Sequence, residues 1–289
     1  MNEQRSSHRT AFVLTGGGSL GAIQVGMLAE LAAAGERPDL LVGVSAGAIN
    51  SAFFARDPSP GTIEHMAQIW SALTTREVLG FSWRSLLGLI GMRDHVADPR
   101  GLRSLLVREL LCQRFDQTAV PLHIICAELV TGDEVVLTDG TLLDAIMASA
   151  AIPGVFPPVM RGDRRLIDGA VAAGSPIGTA LRAGARRIIV LPCGFACAAR
   201  TVSQRALGRA MHAITLLGIR QLRQDYERYS QMASIHIVPP LCPQERSPYD
   251  YSAGAELIGR ARECTRRWID DRGLAGGAFP QMLAEHRHP

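Results

Sequence analysis

The stretch Leu40-Leu-Val-Gly-Val-Ser-Ala-Gly-Ala-Ile-Asn50 passes from apolar residues into small ones through a serine between two glycines. We expect a strand, a tight turn and a helix here, because Gly43 and Gly47 leave room for a turn too sharp for larger neighbours. Such a nucleophile elbow presents the Ser45 hydroxyl at the positive end of a helix dipole. The simpler interpretation is a strand-to-helix connection in which the serine caps the helix.

A glycine-rich loop precedes this stretch. Gly16, Gly17 and Gly18 follow the apolar run Ala11–Leu14, and small and apolar residues continue at helical density over 22–34. Glycines in this setting can offer backbone N–H groups to an oxyanion. Together with the elbow, the loop indicates acyl transfer by a nucleophilic serine.

The same glycines have a competing interpretation as a nucleotide site. Gly16, Gly18 and Gly21 have the spacing of the dinucleotide fingerprint. That fingerprint needs an acidic residue at the end of the second strand, but Asp39 lies at its beginning and Ser45 at its end. A phosphate-binding P-loop is excluded because no Lys-Ser/Thr pair follows the glycines.

Strand and helix patterns alternate along the chain. This alternation predicts an α/β fold with three layers, α/β/α, around a central and mainly parallel sheet. We expect a hydrolase domain over 11–272, a disordered tail over 1–10 and a loose C-terminal tail over 273–289. Further strands are predicted at 122–127, 134–137, 164–167, 187–191 and 235–238, and longer helices at 141–151, 203–232 and 253–271.

The segment Phe81–Met92 is the most apolar part of the chain. It has two open interpretations, a lid or lipid-facing helix that contacts a membrane peripherally, and a core helix. The polar residues 1–10 and the short apolar run after them do not have the pattern of a signal peptide. A cytoplasmic enzyme is therefore expected.

Composition excludes several partners. The formal net charge is +3, all 30 basic residues are arginines, and they are interleaved with acids, so no nucleic-acid surface is indicated. The Cys193/Cys197 pair is weak evidence for zinc, and free buried thiols are the favoured interpretation. No metal and no organic cofactor is expected, since acyl transfer by a serine requires neither. The cysteines are Cys112, Cys126, Cys193, Cys197, Cys242 and Cys264.

A nucleophilic serine needs a base. Most histidines after Ser45 lie within predicted strands, within the long helix or in the tail, none has a convincing loop setting after a strand, and His212 and His236 are the candidates for a triad. Asp168 is better placed, since it ends a predicted strand and Gly169 frees it to enter a cleft. A free aspartate has a pKa of about 3.9, so partial burial would have to raise its basicity.

Four motifs follow one another in a specific order: the glycine loop Gly16–Gly21, the elbow Gly43–Gly47, the segment Ala148–Pro158 and Asp168-Gly169-Ala170. In this order the chain resembles the patatin-like phospholipases. The resemblance implies a catalytic dyad of Ser45 as nucleophile and Asp168 as base, acting on lipid acyl esters. It also implies that the backbone N–H groups of Gly17 and Gly18 stabilise the oxyanion.

Two positions depart from the family pattern. Leu20 stands where the family commonly has Arg or Lys, and Gly174 stands near the place of an asparagine. The first change removes a cation beside the oxyanion site, so the expected substrates widen from phospholipids and lysophospholipids to neutral esters. Two other functions stay open, a histidine-dependent esterase and a non-catalytic lipid- or nucleotide-binding module that uses the glycine loop.

Overall fold

The computed structural model describes residues 9–80, 97–172, 174–195, 197, 206–276, 278–284 and 288. The segment Phe81–Met92 and residues 1–8 lie outside the described residues, so the two interpretations of the apolar segment and the disordered N-terminal tail stay predictions.

A single mixed sheet forms the centre of the molecule, in the order β5-β6-β3-β2-β1-β7-β8, with β4 paired to β3. The five strands from β3 to β8 in this order are parallel, as the sequence predicts. The pairs β3–β4, β3–β6 and β5–β6 are antiparallel. The strands are β1 (Thr10–Leu14), β2 (Leu40–Val44), β3 (Leu122–Glu128), β4 (Glu134–Leu137), β5 (Val159–Arg161), β6 (Arg164–Asp168), β7 (Arg187–Leu191) and β8 (Ser234–Ile237).

Helices cover both faces of the sheet, which confirms the three-layer α/β/α prediction. The central strands are apolar on both sides: Phe12 and Leu14 of β1 contact one core cluster, and Ala11 and Val13 contact the other. None of the helices in the described ranges is both long enough and apolar enough to span a bilayer. They are α1 (Gly21–Ala33), α2 (Ala46–Arg56), α3 (Pro60–Ala72), α4 (Thr75–Leu79), α5 (Arg100–Glu109), α6 (Leu142–Ser149), α7 (Pro176–Arg182), α8 (Ala206–Tyr229) and α9 (Gly254–Asp270).

The strands β2 and β6 meet end to end along one edge of β3. Pro121 accepts a hydrogen bond from Leu41 on the β2 side, and Leu129 donates one to Arg165 on the β6 side. The backbone groups of successive residues point to opposite edges of a strand. Pro121 and Leu129 are an even number of positions apart, so both face the same edge of β3. Val44 is paired with Ile125, while Asp168 is paired with Cys126. The ends of the two strands are therefore adjacent.

This arrangement corrects one step of the sequence argument. Asp168 was expected at the carboxyl ends of parallel strands, whereas β6 runs antiparallel to β3. The aspartate reaches that end of the sheet because β6 runs towards β2 from the opposite direction.

Part of the predicted loose tail packs against the domain. Leu283 is only 3% exposed and belongs to the same core cluster as Leu222 of α8. The ring of Phe279 lies 5.6 Å from that of Tyr226, measured between centroids. The segment 278–284 is thus attached to the outer helical layer.

Candidate active site

Ser45 occupies a strained turn between β2 and α2. Its φ of 53° and ψ of −120° lie in a region that L-residues rarely adopt, and its side chain is nearly buried at 5% exposure. A side chain at Gly47 would overlap the backbone carbonyl of Leu14, and one at Gly43 would overlap the backbone of Ala48. The two elbow glycines therefore allow the close approach that this turn requires.

The structure brings Ser45 and Asp168 together. The Ser45 hydroxyl donates a 2.6 Å hydrogen bond to Oδ2 of Asp168, and the Ala170 backbone N–H donates one of 2.8 Å to Oδ1. Asp168 is 2% exposed, and this burial raises its pKa to about 6, although both hydrogen bonds act to lower it. At neutral pH the carboxyl group is ionised and can accept a proton from the serine.

The end of α6 and the turn after it contact both members of this pair. The Ser149 hydroxyl accepts a 2.9 Å hydrogen bond from the Ser45 backbone N–H and donates one of 2.7 Å to the Ile125 carbonyl. The Ala151 carbonyl accepts a 3.0 Å hydrogen bond from the Asp168 backbone N–H. The segment Ala148–Pro158 is one of the four motifs, but its residues have no role that the sequence could indicate, because only the fold brings them to the elbow.

The glycine loop lies directly against the elbow. A Cβ atom placed on Gly16 would be 3.1 Å from Cβ of Ser45. Within the described residues, no hydrogen-bond acceptor meets the backbone N–H groups of Gly17 and Gly18. Both glycines line the same cavity as Ser45 and Asp168. The loop therefore has donors available beside the serine hydroxyl.

A buried polar network fixes the start of the glycine loop. The Gln24 amide donates to the carbonyls of Thr15 and Leu191 at 2.8 and 2.9 Å. Asn50 donates to Oε1 of Gln24 at 2.9 Å and accepts from the Trp70 indole at 2.8 Å. Gln24 and Asn50 are both fully buried, so this network rigidifies the loop and α2 together. The sequence gave no signal for it, since its members come from α1, α2 and α3.

Two cavities meet at Ser45. The first contains the glycine loop and Asp168, extends to α8, and measures about 1040 Å³ when the space open to solvent is included. The second, about 640 Å³ on the same measure, lies between α2, α3 and α5, and its described lining is almost entirely apolar, with Phe53, Met66 and Leu105 among its walls. This arrangement fits a substrate whose reacting bond lies at Ser45, with an apolar part in one cavity and a second part in the other.

Comparison with known families agrees with this geometry. The sequence matches the patatin-like phospholipase family over residues 12–181, which is more than half of the chain. The chain belongs to this family. The matched region contains the glycine loop, the elbow and Asp168, and membership in a family of patatin-like phospholipases supports the prediction of a hydrolase.

The patatin-like relatives are much longer proteins. Patatin-like phospholipase domain-containing protein 7 of Rattus norvegicus is 28% identical over 186 residues, which are 64% of this chain and 13% of that protein. An uncharacterised NTE family protein of Mycobacterium bovis is 30% identical over 183 residues, 57% of this chain and 27% of its own length. Among solved structures, human GIVD cytosolic phospholipase A2 in complex with methyl gamma-linolenyl fluorophosphonate has a TM-score of 0.48 at 12% identity, covering 97% of this chain and 59% of that one.

The histidines considered for a triad lie elsewhere in this patatin-like chain. His236 of β8 has its Nε2 2.8 Å from the Ser234 hydroxyl and its Nδ1 3.2 Å from the Gly276 carbonyl. His212 lies on α8. No histidine of the described ranges lines either cavity at Ser45. The described part of the chain therefore offers Asp168 as the group in contact with the serine.

The structure gives a physical reason for one of the two departures from the patatin-like pattern. Any side chain at Gly174 would overlap the carboxylate of Glu134, whose other oxygen accepts a 2.7 Å hydrogen bond from Thr179. Glycine therefore fits this packing as it stands, and a larger residue would require the Glu134 side chain to move. Leu20 is fully buried in the core, so the family's cation position is apolar here.

Proposed function

We propose that the protein hydrolyses acyl esters, with Ser45 as the nucleophile and Asp168 as the general base. The observation that carries this proposal is the 2.6 Å hydrogen bond between the Ser45 hydroxyl and Asp168 Oδ2, on a strained turn. The Gly17 and Gly18 backbone N–H groups line the same cavity, and in the part of the chain that the structure describes no acceptor meets them. A carboxylate with a pKa of about 6 is a stronger base than a free aspartate and is still ionised at neutral pH.

The proposed reaction has two steps. Asp168 accepts the hydroxyl proton as Oγ of Ser45 attacks the acyl carbonyl, and the N–H groups of Gly17 and Gly18 bind the tetrahedral oxyanion. The intermediate collapses when the C–O bond to the alcohol breaks, and the alcohol leaves with the proton from Asp168. A water molecule then attacks the acyl-serine while Asp168 accepts its proton, and the carboxylic acid is released as Ser45 regains its hydrogen.

The two cavities suggest how a lipid ester is oriented. The second cavity holds the acyl chain, because its described walls are aliphatic and aromatic. The first cavity then receives the alcohol part. No arginine or histidine is present among the described residues that line either cavity, and Leu20 occupies the family's cation position. Neutral acyl esters are therefore the proposed substrate class, ahead of esters with an anionic headgroup in the cavity.

The test combines covalent labelling with two substitutions. A fluorophosphonate probe should label Ser45, and Ser45→Ala and Asp168→Asn should each lower the hydrolysis of p-nitrophenyl esters by about 10³-fold or more. Ser51→Ala is the matched control, since Ser51 is another buried serine, lies on the helix α2 that follows Ser45, and is outside both cavity linings. Labelling at a different serine, or activity that survives in either variant of the pair, would overturn the proposal.

A further inference from the structure

Three potential metal ligands converge at a point away from Ser45. Nε2 of His288 lies 3.4 Å from Sγ of Cys197 and 3.4 Å from Sγ of Cys242. All three ligand atoms lie within 4.8 Å of one another, and all three side chains are half-buried. Cys197 lies in the loop after β7, Cys242 in the loop after β8, and His288 close to the end of the chain.

The spacing of these atoms fits a tetrahedral metal ion. Zinc is bound by thiolate sulfur at about 2.3 Å and by imidazole nitrogen at about 2.0–2.1 Å, which places the sulfur and nitrogen of a tetrahedral site about 3.6 Å apart. The two observed sulfur–nitrogen distances of 3.4 Å lie close to this value. Two thiols and one imidazole are also the donor set that selects zinc over magnesium or calcium.

One further contact supports the role of Cys197 as a ligand. The backbone N–H of Gln244 donates a 3.3 Å hydrogen bond to Sγ of Cys197. Such an N–H group stabilises negative charge on sulfur and orients the ligand, as partners around metal ligands commonly do. The same N–H group comes from the loop that carries Cys242, so the two loops are already held together at this point.

We propose that Cys197, Cys242 and His288 bind one zinc ion, with a water molecule as the fourth ligand. The Cys193/Cys197 pair considered in the sequence is not the site, because the Sγ atom of Cys193 contacts the Thr15 carbonyl at 3.5 Å instead. Neither sequence spacing nor a local motif indicates the ligands, since they come from two separate loops and the C-terminal segment.

The position of the ion gives it a structural role next to the glycine loop. The Cys193 backbone N–H donates to the Thr15 hydroxyl at 3.2 Å, and a side chain at Gly17 would overlap Cys193. The Pro248 carbonyl, in the loop that follows Cys242, accepts a 2.8 Å hydrogen bond from Ser19. The ion therefore ties together the two loops that contact the glycine loop.

The experiment measures metal content rather than hydrolysis, so its outcome is independent of the proposed function. The chain is produced without a histidine tag in zinc-supplemented medium, dialysed against a weak chelator and analysed by mass spectrometry for metals. We expect about one zinc per chain in the wild type and in Cys112→Ala, whose thiol is buried and contacts Arg114 instead. Cys242→Ala and His288→Ala should bind zinc at least about tenfold more weakly in competition with a chromogenic chelator.

A second measurement guards against loss of folding. Cobalt should give the visible bands of tetrahedral coordination and a thiolate charge-transfer band in the wild type, and His288→Ala should weaken both while its circular dichroism stays native. Chelator should lower the melting temperature of the wild type but not that of His288→Ala. A folded wild type that retains no zinc, equal zinc in the ligand variants, or a Cys197–Cys242 disulfide in the native protein would each overturn the proposal.

Discussion

In the proposed reaction, Asp168 has to be acidic enough to be ionised and basic enough to accept a proton from Ser45. Its burial raises the pKa, while the hydrogen bonds from Ser45 and Ala170 lower it, and the balance lies at about 6. The sequence could predict which aspartate stands near Ser45 from the order of the motifs. It could not predict the degree of burial, because the surrounding walls come from β3, α6 and the glycine loop.

The reactivity of Ser45 should depend on pH through the protonation state of Asp168. The proposed base must be deprotonated, so the rate of fluorophosphonate labelling of Ser45 should be constant above pH about 6 and fall about tenfold per unit below it. The labelling rate is measured as a function of pH, with circular dichroism at each pH to show that the protein stays folded. A rate that is independent of pH through this range would show that Asp168 does not act as the base.

The second residue-scale prediction concerns Ser149. Ser149→Ala leaves the Ser45 N–H and the Ile125 carbonyl without their buried partner, which should lower the free energy of unfolding by about 1–3 kcal/mol. It should also lower kcat more than it raises KM, since the change displaces the turn that carries the proposed nucleophile and removes no contact with the substrate.

Ser51→Ala provides the matched control for Ser149→Ala. Both serines are fully buried, but in the described part of the chain the Ser51 hydroxyl has no hydrogen-bond partner. Removing a buried hydroxyl that makes no hydrogen bond should leave the free energy of unfolding unchanged or raise it slightly. If Ser149→Ala is as mild as Ser51→Ala in both stability and kcat, the positioning role of Ser149 is wrong.

Most strands and helices could be predicted from the sequence. Helices cover both faces of the sheet, so its parallel strands are apolar on both sides and stand out as continuous apolar runs. The strands Leu40–Val44 and Arg187–Leu191 appear as apolar runs between loops, as expected for parallel strands buried on both sides. The direction of β6 was not predictable from such a run, because its pairing depends on which edge of β3 is left open after β2 ends. The ends of β2 and β6 are adjacent because of the register in which each of these strands pairs with β3.

The element-scale prediction concerns the helix α5 and the second cavity. Leu105→Trp should fill part of this cavity and lower kcat/KM for p-nitrophenyl decanoate relative to butyrate, by about tenfold or more, since each lost methylene contact is worth about 0.8 kcal/mol. Val107→Trp is the control, because Val107 lies on the same helix but is 63% exposed. An unchanged chain-length ratio in a folded Leu105→Trp protein would place the acyl chain elsewhere.

For the molecule as a whole, the sequence predicts the features that local patterns specify. It does not predict contacts between segments that are far apart in the chain. The alternation of strands and helices was sufficient for the three-layer architecture. The convergence of Cys197, Cys242 and His288 was not predictable, since these residues share no motif. Cys197 and Cys242 follow β7 and β8, which are paired in the folded sheet. The packing of the segment 278–284 has the same origin, because a few scattered apolar residues in a terminal segment show no periodicity.

The whole-molecule prediction tests whether this C-terminal segment contributes to stability. Leu283 is 3% exposed within the core cluster next to α8, so Leu283→Ala should lower the free energy of unfolding by about 2 kcal/mol. Met232→Ala is the control, because Met232 is 63% exposed and its truncation should change stability by less than about 0.5 kcal/mol. Denaturant titrations of both variants give the comparison. Equal midpoints would mean that the segment is the loose tail that its sequence suggests, whereas a drop confined to Leu283→Ala means that the outer helical layer depends on it.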